Sequence, residues 1–204
     1  MRVPPYYQRE FIPTHQKTNV NTMSVYINQD HGEAIRPYHD YLDLGERGIT
    51  DMGKIKGLAK IRPLRDLNLS RNQIPAIKGL GKLRTLKTLR LSRNRIAKIQ
   101  GLHKLTSLQD LFFEDNLLTT TKGLEKCKSL RVLALDGNFI ADLAGLEPLK
   151  NLEILSLGYN CLTTMEQLEP LLWLPRLQRV YMDGNAVTEN PALRSDPRFK
   201  RLVF

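Results

Sequence analysis

Cysteine is nearly absent from this sequence. Two occur among 204 residues, Cys127 and Cys161, and no Cys/His cluster has zinc-ligand spacing. Two such residues make no disulfide framework, and a reducing, cytoplasmic compartment is the expectation. Long apolar runs are missing too: none approaches the ~18 residues that a membrane span needs. The stretch Met1 to Tyr7 contains no apolar core of a secretory signal. Catalytic signatures are equally scarce. There is no G-x-x-x-x-G-K-[ST], no G-x-G-x-x-G after a strand and no G-x-S-x-G. The four histidines, His15, His31, His39 and His103, stand at unrelated positions. The expectation is a protein that is not an enzyme and binds neither metal nor cofactor.

Acid is missing from one quarter of the chain. Residues 52–104 hold 15 Lys/Arg against one carboxylate, Asp66, a local charge of +14. Residues 1–51, with 5 basic and 7 acidic side chains, and residues 105–204, with 11 and 13, are each at −2. The whole excess behind the net +10 therefore comes from one segment. Two readings stand: a basic surface serving solubility, or a docking surface for something acidic.

What the sequence does have is a repeat. Leu64 to Ile74 reads L-x-x-L-x-L-x-x-N-x-I. The pattern returns from Leu86 to Ile96, Leu108 to Leu118, Leu130 to Ile140 and Leu152 to Leu162, and more loosely from Leu177 to Val187. Asparagines fall at 72, 94, 116, 138, 160 and 185. A degenerate first copy, Leu42 to Ile49, has Arg47 at the asparagine place, which makes seven copies. Glycines 57, 79, 101, 123 and 145 keep the same period and mark turns. Each L-x-L core predicts a short strand with leucines on one face and the x residues on the other. One copy cannot bury its leucines alone, whereas stacked copies share a continuous core. The asparagine amides are expected to satisfy backbone groups where the chain turns inward.

These copies resemble the leucine-rich repeat family, in the 22-residue class typified by the nuclear regulatory subunit of protein phosphatase 1. They are also similar to the leucine-rich-repeat light chain of outer-arm dynein. The resemblance covers about residues 39–190. It implies an α/β solenoid of about seven repeats, with a concave parallel β-sheet and short helical or 3-10 convex turns. Residues 1–38 form an extended N-terminal arm on this reading, either a solvated tail or a segment lying on the first repeat or a partner. Residues 191–204 form an abbreviated C-terminal cap, in which Lys200 to Phe204 either close the core or leave the last repeat partly open. Three extra residues lie between Ile49 and Ile55, and three more around Glu169 to Trp173; Trp173 is expected in the core of that longer turn.

Two surfaces stand out. The outward positions of the strands predict a concave partner-binding face. Arg71, Arg90 and Arg93 make it basic at one end. Asp110, Phe112, Glu114, Asp115 and Asp136 make it acidic in the middle, and Tyr159, Tyr181 and Asp183 close the far end. Exposed aromatics among charges are the composition of interface hot spots. On the convex turns, Lys56, Lys78 and Lys122 share one repeat position and Lys60, Lys82, Lys104 and Lys126 another. Stacking turns these into a ladder of ammonium groups about 5 Å apart. The resemblance implies a non-catalytic protein-protein interaction scaffold. The favoured reading is a structural or adaptor subunit of a large assembly such as a ciliary or axonemal microtubule complex, with at least one acidic partner, tubulin or another subunit. The alternatives are a regulatory subunit of protein phosphatase 1 and a nuclear ribonucleoprotein subunit similar to the spliceosomal A-prime protein. A nucleic-acid partner is not favoured, and no membrane is implied.

Overall fold

The computed structural model describes residues 25–27 and 34–200. Each core lays down a three-residue strand whose middle residue, leucine in six and Val180 in the last, points inward. These are β2 (Tyr41–Asp43), β4 (Asp66–Asn68), β5 (Thr88–Arg90), β6 (Asp110–Phe112), β7 (Val132–Ala134), β8 (Ile154–Ser156) and β9 (Arg179–Tyr181). They pair in chain order as one parallel seven-stranded sheet. The register repeats the sequence period, with Leu67 beside Leu89, then Leu111, Leu133 and Leu155. All five leucines are fully buried. The return of each copy supplies the other wall of the core, as with Ile77, Leu80 and Leu83. Short 3-10 turns at Leu58–Lys60 and Leu80–Lys82 carry the convex side.

The motif asparagines hold the stack together. Asn94 donates through Nδ2 to the carbonyls of Leu91 and, one repeat back, Leu69, and its Oδ1 accepts the Ile74 amide at 3.0 Å. Asn116, Asn138, Asn160 and Asn185 repeat the arrangement. In each set one bond stays within the copy and the others join it to the preceding one, so the cost of turning backbone inward is met by one side chain per repeat. Gly123 shows how closely the copies approach. Its φ is +105°, and a Cβ there would stand 1.9 Å from the Ile99 carbonyl oxygen.

The two insertions build the ends. The first forms a 3-10 turn at Met52–Lys54 and then β3 (Ile55–Lys56). Strand β1 (Tyr26–Ile27) adds antiparallel to β3. Val25, fully buried, bridges Ile35, so this part of the N-terminal segment packs on the first repeat. The second insertion forms a 3-10 helix over Glu166–Trp173. Its period of three aligns Leu168, Leu171 and Leu174 on the core. Trp173, one residue before Leu174, is turned outward and is 61% exposed, contrary to the expectation of a core residue. At the C-terminal end, α1 (Ala192–Ser195) and the 3-10 turn Pro197–Phe199 cover the last repeat with Leu193 and Phe199, both buried. Residues 201–204, on which the closing role of Lys200 to Phe204 was expected to rest, lie outside the described residues.

Candidate interaction surfaces

The concave face is built from the residues flanking each buried strand leucine. The register sets Asp43, Asn68, Arg90, Phe112, Ala134, Ser156 and Tyr181 in one row. A second row runs Tyr41, Asp66, Thr88, Asp110, Val132, Ile154 and Arg179. Phe112 and Tyr181 are half-buried. The guanidinium of Arg90 stands 5.6 Å over the Phe112 ring.

The basic end of this face is internally compensated. Arg90 is paired with Asp66 one strand away, Arg93 with Asp115 at 3.3 Å and Arg71 with Glu46 at 2.6 Å. Burial pushes the Asp66 carboxyl above its usual range despite the Arg90 guanidinium beside it. Burial, reinforced by Asp43, likewise raises the Tyr41 phenol to about 12. The middle is quieter than the sequence suggests. Glu114 is buried and accepts the Ser92 hydroxyl. Asp136 accepts the Ser156 hydroxyl and the Gly158 amide. Ala134 and Ser156 are fully buried. Asp110, half-buried, accepts the Thr88 hydroxyl at 3.3 Å, and Asp183 is exposed.

Arg71, Arg93, Asp115 and Tyr159 do not lie on the strands. Each sits just beyond one, on a turn where φ is +54° to +56°. They form a rim along one edge of the sheet. Period counting placed them among the sheet residues because a left-handed turn leaves no mark in that count.

The convex side differs in charge economy. Lys122 pairs with Asp142 at 3.2 Å. The other ladder members, Lys56, Lys60, Lys78, Lys82, Lys104 and Lys126, are exposed and have no salt bridge to any described carboxylate. Two open hollows lie between them. One, of about 370 Å³, is lined by Lys56, Lys60, Lys78 and Lys82. The other, of about 900 Å³, is lined by Arg62, Lys82, Arg84 and Lys104. Small residues floor both, with Ala59 and Gly79 in common. Gly81 lets the alkyl stem of Lys104 lie down, 3.2 Å from where a Cβ would stand. The sequence signalled this block through charge alone; that the cations are uncompensated required the structure.

No group of acidic, His or Cys side chains among the described residues is arranged to hold a metal ion. Among them, too, no helix is long and apolar enough to cross a membrane. Cys127 is buried, and that burial raises its thiol to about 11.

No curated protein matches the chain. Among solved structures it is similar to internalin C2 of Listeria monocytogenes, with 30% identity and a TM-score of 0.67 over 78% of this chain and 68% of that one. It is also similar to a leucine-rich-repeat protein of Leptospira interrogans, with 29% identity and a TM-score of 0.64 over 72% of this chain. TLR13, in its complex with ssRNA13, shows 27% identity and a TM-score of 0.67 over 75% of this chain. The chain spans 39% of the Leptospira protein and 23% of TLR13. The family model described as leucine-rich repeat matches residues 55–159. With repeat, sheet and relatives in agreement, the chain belongs to the leucine-rich repeat family.

Proposed function

We propose that this protein is a non-catalytic adaptor that docks through its convex lysines onto an acidic protein surface, as a structural subunit of a large assembly. A ciliary or axonemal microtubule complex is the assembly we favour, with tubulin or a neighbouring subunit as the acidic partner. The observation that carries the reading is the contrast between the two faces. Arg71, Arg90 and Arg93 hold carboxylates of their own chain, whereas six ladder lysines hold none among the described residues. Like charges one repeat apart repel, and an acidic partner relieves that repulsion. The family is one of interaction modules, and concave sheets of this kind serve as extended binding surfaces.

Co-sedimentation of the full chain with polymerised tubulin tests this. The expected result is binding that weakens steeply with added salt. A pull-down read by mass spectrometry separates the alternatives. Recovery of phosphatase catalytic subunits, or of small nuclear RNA proteins, in place of tubulin and dynein components would overturn the assembly named here.

A further inference from the structure

Six large hydrophobic side chains are exposed among the described residues, and three of them, Leu117, Phe139 and Tyr159, stand in the turns that follow strands β6, β7 and β8. The residues after successive motif asparagines form one row of the rim, which runs Gln73, Arg95, Leu117, Phe139 and Cys161. Backbone bonds fix the row. The amides of Arg95, Leu117, Phe139 and Cys161 donate to Ile74, Ile96, Leu118 and Ile140 of the preceding repeat, at 3.0, 2.9, 2.8 and 2.9 Å. Neighbours in the row are thus one repeat, about 5 Å, apart. Leu117 is 45% exposed, Phe139 55% and Tyr159 55%. Clustered apolar exposure of this kind marks an interaction site.

Tyr159 adds a second observation. Its column has positive φ in every repeat, whichever residue stands there. Glycine meets that requirement without strain at Gly137 and Gly184, yet here the chain keeps an aromatic side chain at φ +54°. A bulky residue in this region costs stability, and such costs gather where a side chain is used. The ring lies against Gly184, whose missing Cβ leaves room for it.

Charge sets the direction in which a ligand would lie. Arg95 is the charged residue of the row, exposed and without a salt bridge to a described carboxylate. Arg93 beside it is already held by Asp115. Asp115, in turn, repels an acid placed over Leu117. We propose that this rim is a second docking site, for an extended segment of a partner protein whose carboxylate meets Arg95 and whose bulky apolar side chain seats on Leu117, Phe139 and Tyr159. Two repeats separate Arg95 from Phe139, about 10 Å, which an extended chain covers in about three residues. The row's own amides are occupied, so side chains rather than strand addition carry the contact. This site is independent of the convex ladder.

A phage-displayed library of short random peptides, panned on the full chain, tests the proposal. The expected consensus has an acid about three residues from a large apolar residue. The selected peptide, synthesised with a fluorophore, should bind at least about tenfold more weakly to Phe139→Ser and to Arg95→Glu, as removing a hot-spot contact does. Both variants should melt with the wild type. Affinity should not change when Lys60, Lys78, Lys82 and Lys104 are reversed to Glu, so this site and the convex one succeed or fail separately. A consensus without an acid, or affinity untouched by Phe139→Ser, would overturn the proposal. So would concentration-dependent self-association abolished by Phe139→Ser, which would make a second copy the occupant.

Discussion

Asn116 reaches one repeat back to donate to the Leu91 carbonyl at 2.9 Å, while its own Oδ1 accepts the Ile96 amide at 3.0 Å. One side chain thereby satisfies backbone groups that no strand pairing reaches. Asn116→Ala leaves them buried and unpaired, at about 1–3 kcal/mol for a group so left. Leu111→Ala, in the middle of the sheet, removes fully buried methyl groups and should cost about 2–5 kcal/mol. Thermal melts of both variants check this. Melting points equal to wild type would mean that the register described here is wrong.

The two cysteines should differ in reactivity. Cys127 is buried and its thiol is raised to about 11, whereas Cys161 is exposed on the rim. Titration with a thiol reagent at neutral pH should label one cysteine in the folded chain and both after denaturation. The same burial sets a pH dependence. Between the ordinary thiol range near 9 and about 11, the unfolded chain loses the proton while the folded chain keeps it. Stability should therefore fall as pH rises through that window, and Cys127→Ala should flatten this part of the fall.

On the concave face, Phe112→Ala and Tyr181→Ala should weaken binding of any partner seated there while shifting the melting point little. Both side chains are on the solvent side of their strands and half-buried, so their loss opens no core cavity. Calorimetric titration alongside a thermal melt separates the effects. Large destabilisation with intact binding would assign these rings a purely structural role.

Strand number and order were legible in the sequence because the leucine period and the parallel register are one fact seen twice. Leu67, Leu89 and Leu111 are neighbours in space because they are 22 apart in the chain. The site was less legible. Arg90 reads as a free cation until Asp66 is seen beside it, and Glu114 as an outward acid until Ser92 covers it. Side-chain pairing across strands depends on rotamers that a period does not encode. Trp173 was misplaced because its insertion follows the 3-10 period set by Leu168, Leu171 and Leu174, which leaves Trp173 outside. Phe139 and Leu117 are not marked by the motif, because the position after the asparagine carries no motif residue, although their spacing of 22 is in the sequence.

Convex lysines meeting an acidic partner are the centre of the proposed function. The most direct measurement is the affinity of that partner for the wild type and for the Lys60, Lys78, Lys82 and Lys104 to Glu variant, across a series of salt concentrations. Exposed charges act over about 8–10 Å at physiological ionic strength, so lysines one repeat apart act together. The wild type should lose affinity steeply as salt rises, and the variant should bind weakly with a flattened salt dependence. It should also melt with the wild type, since none of these side chains has a salt bridge to a described carboxylate. Affinity that ignores both salt and the reversal would contradict the account and leave the ladder a solvated face.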